Sequence, residues 1–128
     1  MILRGRTIQP GRVTAPNLVS RQGISFYGGV DPESGIVLEA GHDLMGQCIA
    51  GKMLIFPSGK GSTVGSYTLY RLAKNGHAPA GIINANCETI TAVGCIIGEI
   101  PCIDLVDISL IPDGVVATLD AEIGTLSW

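Results

Sequence analysis

The residues best suited to chemistry in this chain stand together in Pro57-Ser58-Gly59-Lys60-Gly61-Ser62-Thr63. An apolar run from Lys52 to Phe56 precedes them, and Val64, Thr68, Leu69, Leu72 and Ala73 follow at helical spacing until Asn75-Gly76 interrupts the pattern. The order is strand, glycine loop, helix. Glycines let backbone approach a ligand closely, and the start of a helix offers unsatisfied N–H groups and partial positive charge, so an anion is favoured there. A nucleotide phosphate loop is excluded on spacing. It requires glycine where Leu54 stands and Ser or Thr where Gly61 stands. Two readings of Ser62 remain open: a helix N-cap contributing about 1 kcal/mol, or a reactive hydroxyl with no His or Asp beside it in sequence. Lys60 is open in the same way, as a cation stabilising negative charge at the loop or as a solvated side chain.

The other candidates are weaker. His42, in Glu39-Ala40-Gly41-His42-Asp43, falls at an expected strand end, where a polar contact toward a cleft competes with a purely structural role. His77 follows Asn75-Gly76, and a surface imidazole is favoured at a helix C-terminus without any function. Gly28-Gly29-Val30-Asp31-Pro32 suits a binding loop and suits any tight turn equally well. Cys87, Cys95 and Cys102 are separated by seven and six residues, which matches no common zinc or iron–sulfur spacing; with Cys48 they read as thiols packed as small hydrophobes.

The elements that must position the loop can be read around it. The chain has 46% apolar but only 5% aromatic residues, so Val, Ile, Leu and Ala fill the interior, and 18 glycines cut it into short segments. Leu3 to Ile8 alternates as a strand, with Pro10, Gly11 and Pro16 expected to break it. Ile24 to Tyr27 and Gly35 to Leu38 flank turn residues and predict a hairpin-like excursion. Lys52 to Phe56 and Ala80 to Ile83 read as strands buried on both faces, and Thr89 to Gly98 as a second helix closed by Gly98 and Pro101. Ile103 to Val106, Gly114 to Leu119 and Ile123 to Leu126 complete the strands. The fold class is therefore α/β, one β/β/α domain over residues 1–128, with short strands and two helices.

Eight basic and eleven acidic residues are scattered to a net charge of −3, with no basic stripe for a phosphate backbone, which excludes nucleic acid as a partner. No apolar run approaches the roughly 20 residues that cross a bilayer, and Met1 to Arg12 lacks the apolar region of a signal peptide, so no membrane partner and a cytoplasmic location are expected.

Four blocks in order, Ser25-Phe26-Tyr27-Gly28-Gly29-Val30-Asp31-Pro32, Ile49-Ala50-Gly51-Lys52-Met53-Leu54, Pro57-Ser58-Gly59-Lys60-Gly61-Ser62 and Ala78-Pro79-Ala80-Gly81-Ile82-Ile83, resemble the small subunit or swivel domain of the aconitase X family. The likeness extends over essentially the whole chain. It implies a swivelling β/β/α domain that works only with a large subunit in a heteromeric hydro-lyase. The implied reaction removes water from (R)-5-phosphomevalonate to give trans-anhydromevalonate 5-phosphate in isoprenoid synthesis, with Ser62 as the proton acceptor. Gly59, Lys60, Gly61 and Thr63 become candidate substrate contacts, and the 4Fe-4S cluster is implied to sit on the large subunit, with no metal ligand in this chain. Two alternatives stay open: a related dehydratase acting on another hydroxy acid such as hydroxyproline, and a non-enzymatic swivel-type interaction domain.

Overall fold

The computed structural model describes residues 1–128. Eight strands, β1 (Ile2–Arg4), β2 (Arg6–Gln9), β3 (Arg12–Val19), β4 (Met53–Phe56), β5 (Gly81–Asn84), β6 (Cys102–Asp104), β7 (Val116–Asp120) and β8 (Thr125–Ser127), form one sheet in the order β1-β8-β7-β3-β4-β5-β6-β2. Strands β3 to β6 run parallel to their neighbours in that series, and the remaining pairs are antiparallel. β1 and β2 occupy opposite ends of this order, yet Gly5 alone separates them in sequence. The sheet must therefore curl until its two end strands run on from one another at Gly5. Gly5 fits that meeting point because a Cβ there would collide with the Asp104 carbonyl and lie 2.7 Å from Val106 Cγ2. Across the same seam the Arg6 guanidinium grips the fully buried Asp104 carboxylate with two hydrogen bonds of 3.0 and 2.9 Å.

Helices α2 (Gly65–Lys74) and α3 (Thr89–Gly98) make the β4–β5 and β5–β6 crossovers and pack against each other. Strand alternation divides the interior in two. Leu54, Phe56, Ile82 and Cys102 join Leu69, Leu72 and Cys95 beneath the helices, while Met53, Ile55, Ile83 and Ile103 point the other way to meet Leu119 and Leu126. Each such aliphatic side chain, fully buried, contributes about 1.5–3 kcal/mol relative to exposure. Gly94 permits the close helix contact, since a Cβ there would stand 2.9 Å from Leu69 Cβ. Asn75 and Gly76 end α2 as expected, with Gly76 at φ +75° and His77 N–H bonded to the Leu72 carbonyl. α3 ends through a left-handed Glu99, where no glycine was available.

Two local expectations are corrected. Pro16 does not break the chain: it lies within β3, paired with Val116, at the point where β3 stops pairing with β7 and begins to pair with β4. Asn17 N–H donates toward β7, so the nitrogen of Pro16 faces the opposite side, where β4 has not yet begun, and no ladder hydrogen bond is lost. Ile24 to Tyr27 is not a strand, because Phe26–Gly29 forms the single turn α1, with Gly28 at φ +81°. The excursion between β3 and β4 contains no full strand and is tied together by the isolated bridges Val30–Val37 and Ile36–Cys48 and by further turn hydrogen bonds. Asp31 organises its tip, accepting from Glu33 N–H at 3.0 Å and Ser34 Oγ at 2.8 Å.

Candidate active site

β4 delivers the chain from the core directly into the 57–64 loop. The loop then adds itself to the excursion: Gly59 bridges Ile24 in parallel, Lys60 N–H donates to the Ile24 carbonyl at 3.0 Å, and Ile24 N–H donates to the Ser58 carbonyl at 3.3 Å. Gly61 is glycine for two reasons. Its φ is +93°, and a Cβ would collide with Ser25 Oγ.

Ser62 is exposed, and its Oγ accepts from Val64 N–H at 3.2 Å. The cap position of α2 falls on Val64, which makes no side-chain cap bond, while the Ser62 and Thr63 carbonyls accept from Gly65 and Ser66. Ser62 is thus two residues upstream of the cap, with its hydroxyl aimed at the first turn. A hydroxyl held there sits at the positive end of the helix, where negative charge on oxygen is stabilised. Thr63 is exposed beside it. Lys60 Nζ is held 3.0 Å from Glu39 Oε2, so the cation is anchored next to the loop and is not simply solvated.

The three concavities of the surface all exclude Ser62. One of about 200 Å³ borders the α1 turn and is lined by Tyr27, Asp31, Leu38 and Arg71. The largest, about 660 Å³, lies between Met1, Arg21, Leu110 and Trp128 and contains no residue of the loop. Exposed Tyr27, Leu38, Val64 and Tyr67 bring apolar surface to the vicinity of α1 and the start of α2.

The remaining candidates are placed differently. His42 is buried, with Nε2 3.0 Å from the Gly23 carbonyl and Nδ1 3.0 Å from Leu44 N–H and 3.1 Å from Asp43 Oδ1, so the ring supports Gly23 instead of reaching a cleft. His77 is half-buried, with its Nδ1 enclosed, and not the surface imidazole expected from its position. All four cysteines are free thiols. Although separated in sequence, Cys87, Cys95 and Cys102 converge beneath the helices; the hydrogen bond that the Cys87 thiol gives to Cys102, then burial, pushes the Cys87 thiol far up. For Cys102 the bond with Cys87 acts downward, but the bond with Cys95 and burial outweigh it, and that thiol is raised as well. Cys95 and Cys102 are buried and Cys48 and Cys87 half-buried, and no group of three His, Cys, Asp or Glu is arranged to hold a metal ion. No helix is long and apolar enough to cross a membrane.

Sequence reasoning missed the residues that meet the loop from a distance: Ser25 against Gly61, Glu39 on Lys60, and Glu88 with Thr91 against Gly59. Glu88 was legible as the acidic residue opening a helix. Its contact with Gly59 was not.

A curled sheet with two crossover helices on one side, carrying an exposed serine on a glycine loop at a helix start, defines a swivel domain, and the chain belongs to the aconitase X swivel domain family, whose model matches residues 2–128. It is 52% identical to the phosphomevalonate dehydratase small subunit of Thermococcus kodakarensis over 97% of this chain and 93% of that protein. It is 50% identical to the phosphomevalonate dehydratase small subunit of Methanocella arvoryzae over 98% of both chains. The crystal structure of Thermococcus kodakaraensis aconitase X in its holo form superposes with a TM-score of 0.98 at 50% identity, covering 99% of this chain and 97% of that one.

Proposed function

We propose that residues 1–128 form a swivel domain that acts as the small subunit of a hydro-lyase that dehydrates (R)-5-phosphomevalonate to trans-anhydromevalonate 5-phosphate, with Ser62 as the proton acceptor. The observation that carries the reading is the placement of Ser62. Its hydroxyl is fixed at a helix start on a loop built of glycines, yet it lies on open surface outside every concavity. A serine is a poor base in water and needs a dry, preorganised site, so a second surface must close over it. The relatives' designation as a small subunit supports a large subunit as that surface.

Elimination of water from a β-hydroxy acid takes a proton from the carbon beside the carboxylate and releases the hydroxyl. In this chain Ser62 Oγ receives the proton, Val64 N–H and the α2 terminus favour the oxyanion form, and Lys60 adds positive charge once substrate competes with Glu39. Gly59 and Gly61 let the loop backbone pack against Glu88 and Ser25, and we place the substrate over the other face of that backbone, beside Thr63. A 4Fe-4S cluster would supply the Lewis acid for the hydroxyl, and we assign it to the large subunit, because no group of three His, Cys, Asp or Glu in this chain is arranged to hold a metal ion. Exposed Tyr27, Leu38, Val64 and Tyr67 give the apolar part of the interface around the loop.

Co-expression with the large subunit, followed by anaerobic assay on 5-phosphomevalonate, is the test: dehydration is expected from the complex and from neither chain alone. Turnover of hydroxyproline in place of 5-phosphomevalonate overturns the substrate. A complex with no dehydratase activity on either would leave an interaction domain.

A further inference from the structure

The 57–66 segment is held from one side by a single stretch of chain, the connection from β5 into α3, at four successive points. Asn84 Nδ2 donates to the carbonyl of Phe56, the last residue before the loop, at 3.0 Å. Asn86 N–H donates to the Pro57 carbonyl at 3.1 Å. Gly59 lies against the Glu88 carboxylate and the Thr91 hydroxyl so closely that a Cβ would collide with both and stand 3.0 Å from Glu88 Cδ. Beyond the loop, Ser66 Oγ donates to the Ile90 carbonyl at 2.6 Å, and a Cβ on Gly65 would come within 3.2 Å of Ile90 Cγ2.

Glu88 is the centre of this platform. Its side chain accepts from Ile90 N–H and Thr91 N–H, both at 2.7 Å, and from the Thr91 hydroxyl. Three donors fix the carboxylate as a rigid surface. The loop backbone can reach that surface only because residue 59 has no side chain; no positive φ requires a glycine there, so space is the reason. Capping a helix calls for an acceptor at this position, and aspartate, with one methylene fewer, is among the preferred caps. Reaching Gly59 needs the longer side chain.

We propose that Glu88 is a positioning residue for Ser62: its carboxylate, locked by the start of α3, sets the height of the loop at Gly59 and so the placement of the hydroxyl three residues on. The proposal rests on the reading of Ser62 as proton acceptor, and it makes α3 part of the active-site scaffold although no α3 side chain touches the reacting atoms. Misplacement on the order of 1 Å costs up to about a hundredfold in turnover when the geometry of a reacting group is at stake.

The test compares Glu88→Asp, Gly59→Ala and Ser62→Ala in the assembled two-subunit enzyme, with amide NMR of the full small-subunit chain. Glu88→Asp is expected to keep the melting temperature and assembly of the parent, because the cap is retained, while kcat falls about tenfold or more and KM stays within about twofold. Amide shifts are expected to move at Gly59 to Ser62 as well as at Glu88 to Thr91. Gly59→Ala, which pushes the same contact from the loop side, is expected to show the same split between kcat and KM. Unchanged loop amides in Glu88→Asp, or moved amides with parental kcat, overturn the proposal and leave Glu88 a helix cap. Parental turnover in Ser62→Ala sinks the catalytic reading of Ser62, and the positioning role with it; a dead Ser62→Ala beside a fully active Glu88→Asp removes only the positioning role.

Discussion

Replacing Ser62 by alanine separates a structural hydroxyl from a catalytic one, because the structural cost can be bounded. The hydroxyl is exposed and accepts one hydrogen bond, from Val64 N–H at 3.2 Å, so its loss opens no cavity and leaves an amide that water can reach. The α2 cap falls on Val64, so even the capping contribution is partial, and the stability loss is expected at about 1 kcal/mol or less. Removal of a positioned acid–base group lowers turnover by about 10²–10⁴, and each factor of ten corresponds to about 1.4 kcal/mol of barrier. The catalytic effect therefore exceeds the structural one by at least about 2 kcal/mol, a gap that steady-state kinetics and thermal melts resolve easily. The assay is anaerobic turnover of 5-phosphomevalonate by the two-subunit complex, with size-exclusion chromatography to verify assembly. Thr63→Ala is the control, sharing the exposure of Ser62 but lacking its bond to Val64. Ser62→Ala is expected to assemble, bind substrate and fail in turnover while Thr63→Ala retains most activity. Turnover within a few-fold of the parent in Ser62→Ala refutes the proton-acceptor role and returns the residue to the start of the helix as an ornament of the turn.

Three further outcomes are expected. Anaerobic treatment of the isolated chain with iron and sulfide should give no stoichiometric 4Fe-4S spectrum, since Cys95 and Cys102 are buried and no group of three His, Cys, Asp or Glu is arranged to hold a metal ion; a cysteine-dependent cluster in this chain alone would contradict the split site. Gly94→Ala drives a methyl into Leu69 across the α2–α3 contact and should destabilise the fold by about 1–3 kcal/mol in denaturant melts, an expectation that an unchanged midpoint would remove. The Glu33 N–H and the Ser34 hydroxyl hold the Asp31 carboxyl below its ordinary value of 3.8, so its contribution is present above that pH and lost as pH falls through the lower folded value. Between about pH 5 and pH 2, parental chain should lose more thermal stability than Asp31→Asn, whose side chain does not titrate; parallel curves would show the turn to be indifferent to that charge.

Much of the scaffold was legible in the residues because its signals are local. The apolar run Lys52 to Phe56, short and closed by Pro57, reads as a strand with both faces covered and is observed as Met53–Phe56, and the helical spacing from Val64 to Ala73 with Asn75-Gly76 behind it marked α2 to within a residue. Thr89 to Gly98 was bounded by Gly98 and by Pro101. The loop between them announced itself through Gly59, Gly61 and the polar run. Pro16 and Ile24 to Tyr27 were misjudged where tertiary pairing overrode local preference: the proline escapes cost only because β4 starts one residue later, and the β-prone run turns because Phe26 is drawn into the core under α2.

What the sequence determined by itself is therefore which segments become strands and helices, and which loop carries chemistry, since period, turn residues and polarity act over a few residues. The closing of the sheet at Gly5, the ion pair of Arg6 with Asp104 across 98 positions, and the meeting of Gly59 with Glu88 were decided only by the tertiary structure. Such contacts are set by strand order, and nothing within a few residues of Gly5, Gly59 or Asp104 encodes which distant backbone will lie against it. The same is true of the exposure of Ser62: the residue type supplies a hydroxyl, but its place on open surface beside an amide and outside every concavity follows from where the folded sheet leaves the loop.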